Sequence, residues 1–165
     1  MRDIFVSGGT GYLGRALVPA LVRRGHPVRV LTRGRLGSDP SLVRGDALEA
    51  ATFAGSIRPS DTFLHMVGLA HPAPWKAAQF EAVDVASVRA TLAAVKGAGL
   101  SHLVYVSVAQ SAPFMAAYTY ARARCERWIV ESGIPATFLR PWYVLGPGHQ
   151  WASPAGARKR CGSDS

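Results

Sequence analysis

The chain has 165 residues, about half of them hydrophobic, and a formal net charge of +9, of which +7 falls within residues 1–150. This supports one globular domain with a real core and excludes a disordered chain; no apolar run approaches the roughly 20 residues needed to span a bilayer, and Cys125 and Cys161 make no disulfide or metal framework. The arginines are scattered, with no basic helix face and no interleaved aromatic ladder, so the charge points to solvated surface and cofactor phosphates rather than to nucleic acid.

Residues 3–24 read as strand, glycine turn and helix. Ile4, Phe5 and Val6 are a short apolar run, Gly8, Gly11 and Gly14 follow at three-residue spacing, and Leu13, Leu17 and Leu21 then recur with Ala16 and Ala20 at helical spacing. In that order the pattern predicts a pyrophosphate cradle: small turn residues let backbone approach the phosphates, and the helix N-terminus offers unbonded N–H groups. Gly8, Thr10, Gly11, Tyr12, Leu13 and Gly14 are the expected contacts.

A second strand is predicted over residues 28–32, completing a right-handed βαβ unit. Where a carboxylate would hold a ribose 2′-hydroxyl, the chain has Leu31, Thr32 and Arg33. A cation in place of an acid favours a 2′-phosphate, hence NADP(H), with Thr32 and Arg33 as contacts and Arg35 as a helper. The alternative for Arg33 is a solvated turn residue.

Residues 34–41 read as a loop, 42–44 as a short strand closed by Gly45 and Asp46, and 47–53 as a brief helix. A fourth strand spans 61–67, followed by Gly68 and a proline-rich loop. The spacing of Phe80, Val83, Val88, Leu92 and Val95 predicts one long helix over 75–96, stopped by Gly97 and Gly99. Residues 102–107 are the fifth strand, 114–131 a helix and 136–140 the sixth strand, ended by Pro141. Strands alternating with helices predict an α/β, three-layer Rossmann fold: a doubly wound parallel sheet in the order 3-2-1-4-5-6, with the ligand crevice where the order reverses. Hydrophobic periodicity stops after residue 150, so the expected division is a dinucleotide-binding domain over 1–150 and a disordered basic tail over 151–165. The five histidines show no metal spacing, and His65, inside a strand, is expected to be packed rather than catalytic. There is no internal repeat, nucleophile elbow or P-loop.

Candidate chemistry concentrates in the helix over 114–131. Tyr118 and Arg122 share one face; Tyr120 and Arg124 share nearly the opposite one. Phe114, Tyr118, Ala121, Cys125 and Trp128 form the apolar stripe, so Tyr118 is the inward tyrosine. Two plainer readings stand beside this: Tyr118 as a core aromatic, and Arg122 as the ion-pair partner of Glu126.

The segments GGTGYLG, HLVYVSVA, Tyr118-x-x-x-Arg122 and SGIPATFLRPWYVLGPG, in this order, resemble the short-chain dehydrogenase/reductase superfamily, closest to its atypical, NmrA-like NAD(P)H-binding branch, over roughly residues 1–150. The resemblance implies a general acid or base at Tyr118 and, at Arg122, a cation in the slot that a lysine fills in the family, where it holds the cofactor ribose and favours tyrosinate. It implies a serine at Ser107, although the hydroxyl of epimerase-like relatives falls about two residues later, at Val108 and Ala109, with Ser111 as a substitute. It also places Asp46 at the adenine edge, Val67 and Gly68 beside the cofactor, and the segment Arg140, Pro141, Trp142 and Tyr143 near the nicotinamide end. The expected function is NAD(P)(H) binding, NADP(H) favoured, with oxidoreductase or epimerase chemistry on a small molecule. The alternatives are a non-catalytic cofactor sensor or assembly protein, and a shortened, inactive fragment, because the likeness ends near residues 149–151. A cytoplasmic setting with reduced thiols, and self-association through exposed apolar edges, complete the expectations.

Overall fold

A computed structural model describes residues 2–34, 39, 41–109, 115–142 and 144. Its described strands form one parallel sheet in the order β3-β2-β1-β4-β5-β6, as the pattern predicts. They are β1 (Ile4–Ser7), β2 (Val28–Thr32), β3 (Leu42–Arg44), β4 (Thr62–His65), β5 (His102–Val106) and β6 (Ala136–Leu139). β1 lies between β2 and β4, pairing Ile4 with Val28 and Thr62. Alternate side chains of β1 therefore serve opposite faces. Ile4 and Val6 join Val28, Val30 and Leu64 beneath α1 (Tyr12–Arg23), against Leu17, Val18 and Leu21. Phe5 joins Phe53, Phe63, Phe80, Leu103, Tyr105, Cys125 and Ile129 on the other face, under α3 (Ala86–Val95) and α4 (Ala116–Glu131). Both faces of the central strand are covered, which is why its sequence is continuously apolar rather than alternating. No described helix is long and apolar enough to cross a membrane.

Two elements differ from expectation. Residues 47–53 are not one brief α-helix; they pass into two 3₁₀ turns, Ala50–Thr52 and Ala54–Ser56. The cause is local side-chain bonding. Asp46 Oδ1 accepts the Leu48 N–H at 3.0 Å, while Thr52 Oγ1 accepts the Asp46 N–H at 2.9 Å and donates to Glu49 O at 2.7 Å. Such bonds offer the backbone an alternative to the helical ladder. The helix predicted over 75–96 is also not uniform. It begins as a 3₁₀ turn (Pro74–Lys76), continues through α2 (Ala77–Gln79), widens into a π-helical turn (Phe80–Val85) and ends as α3. The wide turn brings Phe80, Asp84 and Val85 to the interior together.

β4, at four residues, is shorter than the expected 61–67, and Asp61 just before it is buried with its carboxylate engaged. Its buried Oδ2 accepts from Arg29 Nη2 at 2.5 Å and from the Arg58 N–H at 2.7 Å. Arg35, Ser111, Phe114, Tyr143 and the tail over 151–165 lie outside the described residues.

Candidate functional site

The glycine turn between β1 and α1 is shaped by contacts that exclude side chains. Gly8 has φ +80°, and a Cβ there would lie 2.6 Å from the backbone carbonyl carbon of Met66. A Cβ on Gly14 would lie 2.3 Å from Gly9 O, so the first turn of α1 packs directly on the loop. Gly11 caps the helix without a side chain, and the first turn carries no acidic residue. The N-terminal N–H groups of α1 and its positive dipole end are therefore unopposed by any local carboxylate. Arg15 steadies the turn by donating from Nε to Thr10 O at 2.9 Å.

A cleft of about 370 Å³ opens over this turn, at the carboxyl ends of β1, β4 and β5. It joins Gly8, Gly11, Tyr12 and Leu13 to Gly68, Ser107, Tyr118 and Arg122, and Met66, Leu69, Pro72, Met115 and Trp142 give it an apolar wall. Of the other expected contacts, Thr10 is exposed on the turn, Gly14 packs behind it, and Val67 is half-buried in the loop after β4. Thr32 ends β2 and Arg33 follows it; Thr32 Oγ1 accepts the Gly34 N–H at 3.0 Å and Arg33 is exposed. Asp46 follows β3 and spends Oδ1 on Leu48.

Tyr118 is half-buried and packs its ring at a tilt against Phe80, ring centroids 5.1 Å apart, whereas Tyr120 is 62% exposed. Arg122 is buried. It does not pair with Glu126, the plainer alternative above, because Glu126 is held by Arg140 through Nε at 3.0 Å and Nη2 at 2.6 Å. Burial pushes the Glu126 carboxyl up, but the hydrogen bonds and the charge of Arg140 outweigh it and hold it below the usual carboxylate range. Ser107 borders the cleft with a buried side chain whose Oγ makes no hydrogen bond among the described residues. Arg122 instead reaches under the loop after β4. Nη1 donates to Tyr105 Oη at 3.1 Å and to Val106 O at 3.0 Å, Nη2 meets Asp84 Oδ1 at 2.5 Å, and the guanidinium carbon sits 5.3 Å from the Tyr118 ring centre.

Asp84 escaped the sequence reading. A signal was present: Asp84 stands four residues after Phe80 and four before Val88, so it lies on the buried stripe, where a carboxylate needs a partner.

Behind this pair lies a second buried polar group. His65 Nδ1 is 3.1 Å from both Ser7 Oγ and Thr91 Oγ1, and Nε2 is 3.2 Å from Ser87 Oγ. His65 is packed, as expected. Burial, with a smaller contribution from the Arg122 charge, lowers its pKa to about 3. The folded chain therefore keeps His65 neutral where the unfolded chain, near the ordinary 6.5, takes up a proton. The contribution is fully present above pH 6.5 and is lost as pH falls toward 3, at about 1.4 kcal/mol per pH unit. Denaturant titrations from pH 7 to pH 5 should show this slope, and His65→Gln should flatten it; an unchanged slope in the variant would contradict the assignment.

Comparison with known proteins places these features. The family model described as NAD(P)H-binding matches residues 8–150. A ketoreductase of Stigmatella aurantiaca, named for 4-hydroxy-2-methyl-3-oxo-4-farnesyl-3,4-dihydroquinoline-1-oxide, is 29% identical over 170 residues, covering 86% of this chain and 50% of the relative. Among solved structures, the enzyme WbmH of Bordetella bronchiseptica in complex with NAD+ superposes with a TM-score of 0.71 at 20% identity, covering 89% of this chain and 57% of that one. A short-chain dehydrogenase/reductase superfamily protein of Agrobacterium tumefaciens with bound NAD gives 0.67 at 23%, covering 84% and 48%. These two likenesses are of fold. The chain spans about half the length of the curated relatives that match most of it.

Proposed function

The chain belongs to the NAD(P)H-binding family, and we propose that it binds NADP(H) along this cleft and exchanges hydride with a small carbonyl or alcohol substrate. The observation that carries the reading is the continuity of the cleft from the glycine turn to Tyr118 and Arg122. The chain's own residues fit a dinucleotide: α1 begins at Gly11 with no side-chain cap and no acid in its first turn, and Gly8, Gly11, Tyr12 and Leu13 line the cleft there. Gly8, Thr10, Gly11, Tyr12, Leu13 and Gly14 would hold the pyrophosphate. Thr32 and Arg33 would meet a 2′-phosphate, Asp46 the adenine edge, and Val67 and Gly68 the ribose side. The bound dinucleotide supplies hydride exchange at carbon. Tyr118 gives or takes the proton at the substrate oxygen, the Arg122 guanidinium lies against its ring, and Ser107 stands at the cleft edge.

One observation favours a second reading, a cofactor-binding sensor or assembly protein without turnover. The cleft positions that follow Ser107 are Val108 and Ala109, so the place two residues on, where epimerase-like relatives carry a hydroxyl, has none here. Following NADPH oxidation across a panel of carbonyl compounds separates the two. Turnover supports the enzyme; tight binding with no turnover on any of them supports the sensor.

The NADP(H) preference has its own test. Arg33→Ser should weaken NADPH about tenfold or more, the size of a lost charge-assisted bond, and leave NADH nearly unchanged. Equal losses for both cofactors would remove Arg33 from the 2′-phosphate.

A further inference from the structure

Arg122 and Asp84 form an ion pair whose side chains are 6% and 0% exposed, directly beneath the cleft. The pair is built from three directions. The π-helical turn carries Asp84 inward. The loop after β4 donates the Leu69 N–H to Asp84 Oδ2 at 3.1 Å, and it presents Gly68, where a Cβ would lie 2.1 Å from Arg122 Nη2. β5 supplies Tyr105 Oη and Val106 O to Nη1. The same π turn sets Phe80 against Tyr118, so one irregular element fixes both the tyrosine and the charge under it. The other charged groups of α4 nearby are engaged elsewhere, Arg124 with Glu81 and Glu126 with Arg140.

We infer that Asp84 is a positioning residue that cancels the Arg122 charge at the tyrosine end of the cleft, so that an oxidised, cationic nicotinamide is accepted there as readily as the reduced, neutral ring. This rests on the proposed dinucleotide function. An arginine in this position without a partner would repel a positively charged ring, and in a site of low permittivity that repulsion is strong. Asp84 removes it while leaving the guanidinium seated against Gly68 and the Tyr118 ring. The buried arginine thus comes with its own buried counter-charge.

The test compares oxidised with reduced cofactor rather than activity. The full chain is titrated calorimetrically with NADP+ and NADPH, or with NAD+ and NADH if only that pair binds, at pH 8 and low salt. The readout is the ratio of the two Kd values, oxidised over reduced. Asp84→Asn keeps the shape and can keep the Leu69 bond, but leaves Arg122 unopposed; the ratio should rise roughly tenfold. Arg122→Gln leaves a lone carboxylate and should move the ratio the opposite way, which keeps the inference testable if Asp84→Asn fails to fold. The double variant, with both charges gone, should return to the native ratio. Single variants that weaken both forms equally and leave the ratio unchanged would reduce the pair to a structural role and overturn the inference while the cofactor reading stands. A native chain that binds no nicotinamide dinucleotide would overturn both.

Discussion

Gly8→Ala is expected to lose dinucleotide binding and about 2–4 kcal/mol of stability. Two effects act together. The residue sits at φ +80°, in the left-handed region that an L side chain adopts only with strain, and the new methyl would lie 2.6 Å from Met66 C and 2.7 Å from Met66 O. Those atoms belong to the backbone that leaves β4, so relief requires β1 and β4 to separate at their carboxyl ends, where Met66 N–H donates to Ser7 O at 2.9 Å. A domain of this size has only about 5–15 kcal/mol in hand, so the loss is large. It also falls on the wall of the cleft, since Gly8 and Met66 both line it. Chemical denaturation and NADPH titration of the purified variant check both halves. Native-like stability with intact binding would show that the turn is not the phosphate cradle.

Tyr118→Phe is expected to behave in the opposite way, sparing the fold and the cofactor while removing turnover. The ring makes the packing contacts. It packs at a tilt against Phe80 at 5.1 Å and receives the Arg122 guanidinium at 5.3 Å, and phenylalanine preserves both. Stability should therefore change by less than about 1 kcal/mol, and NADPH affinity should stay near that of the native chain. If Tyr118 carries the proton, turnover on any accepted carbonyl compound should fall by about 10²–10⁴-fold. Steady-state rates of both chains on that compound decide the matter. Activity unchanged in the variant would take Tyr118 out of the mechanism.

The contrast between these variants mirrors how legible the molecule was. The strands could be read because burial on both faces leaves continuous apolar runs, such as Ile4-Phe5-Val6, and because glycine and proline mark their ends. The 3-2-1-4-5-6 order then followed from alternation with helices. The inward choice of Tyr118 over Tyr120 could be read because the stripe through Ala121 and Cys125 fixes the phase of α4, and both of those residues are buried. The elements that were misread owe their form to specific side-chain bonds. Thr52 and Asp46 divert residues 47–53 from a helix, and nothing in hydrophobic spacing announces this. The π-helical turn carries an Asp84 whose partners lie far off in sequence, Arg122 38 positions later and the Leu69 N–H 15 positions earlier. The plainer alternative for Arg122, a pair with Glu126, fails for the same reason: Glu126, its neighbour one turn on, has a better partner in Arg140. Charges choose among distant candidates in three dimensions, whereas periodicity reports only the local face.

The account stands on the glycine turn holding a dinucleotide, and calorimetric titration of the full chain with NADPH and NADH tests that most directly. The prediction is saturable binding of NADPH, weaker binding of NADH, and loss of both in Gly8→Ala. Absence of binding by either cofactor to the folded native chain would contradict it.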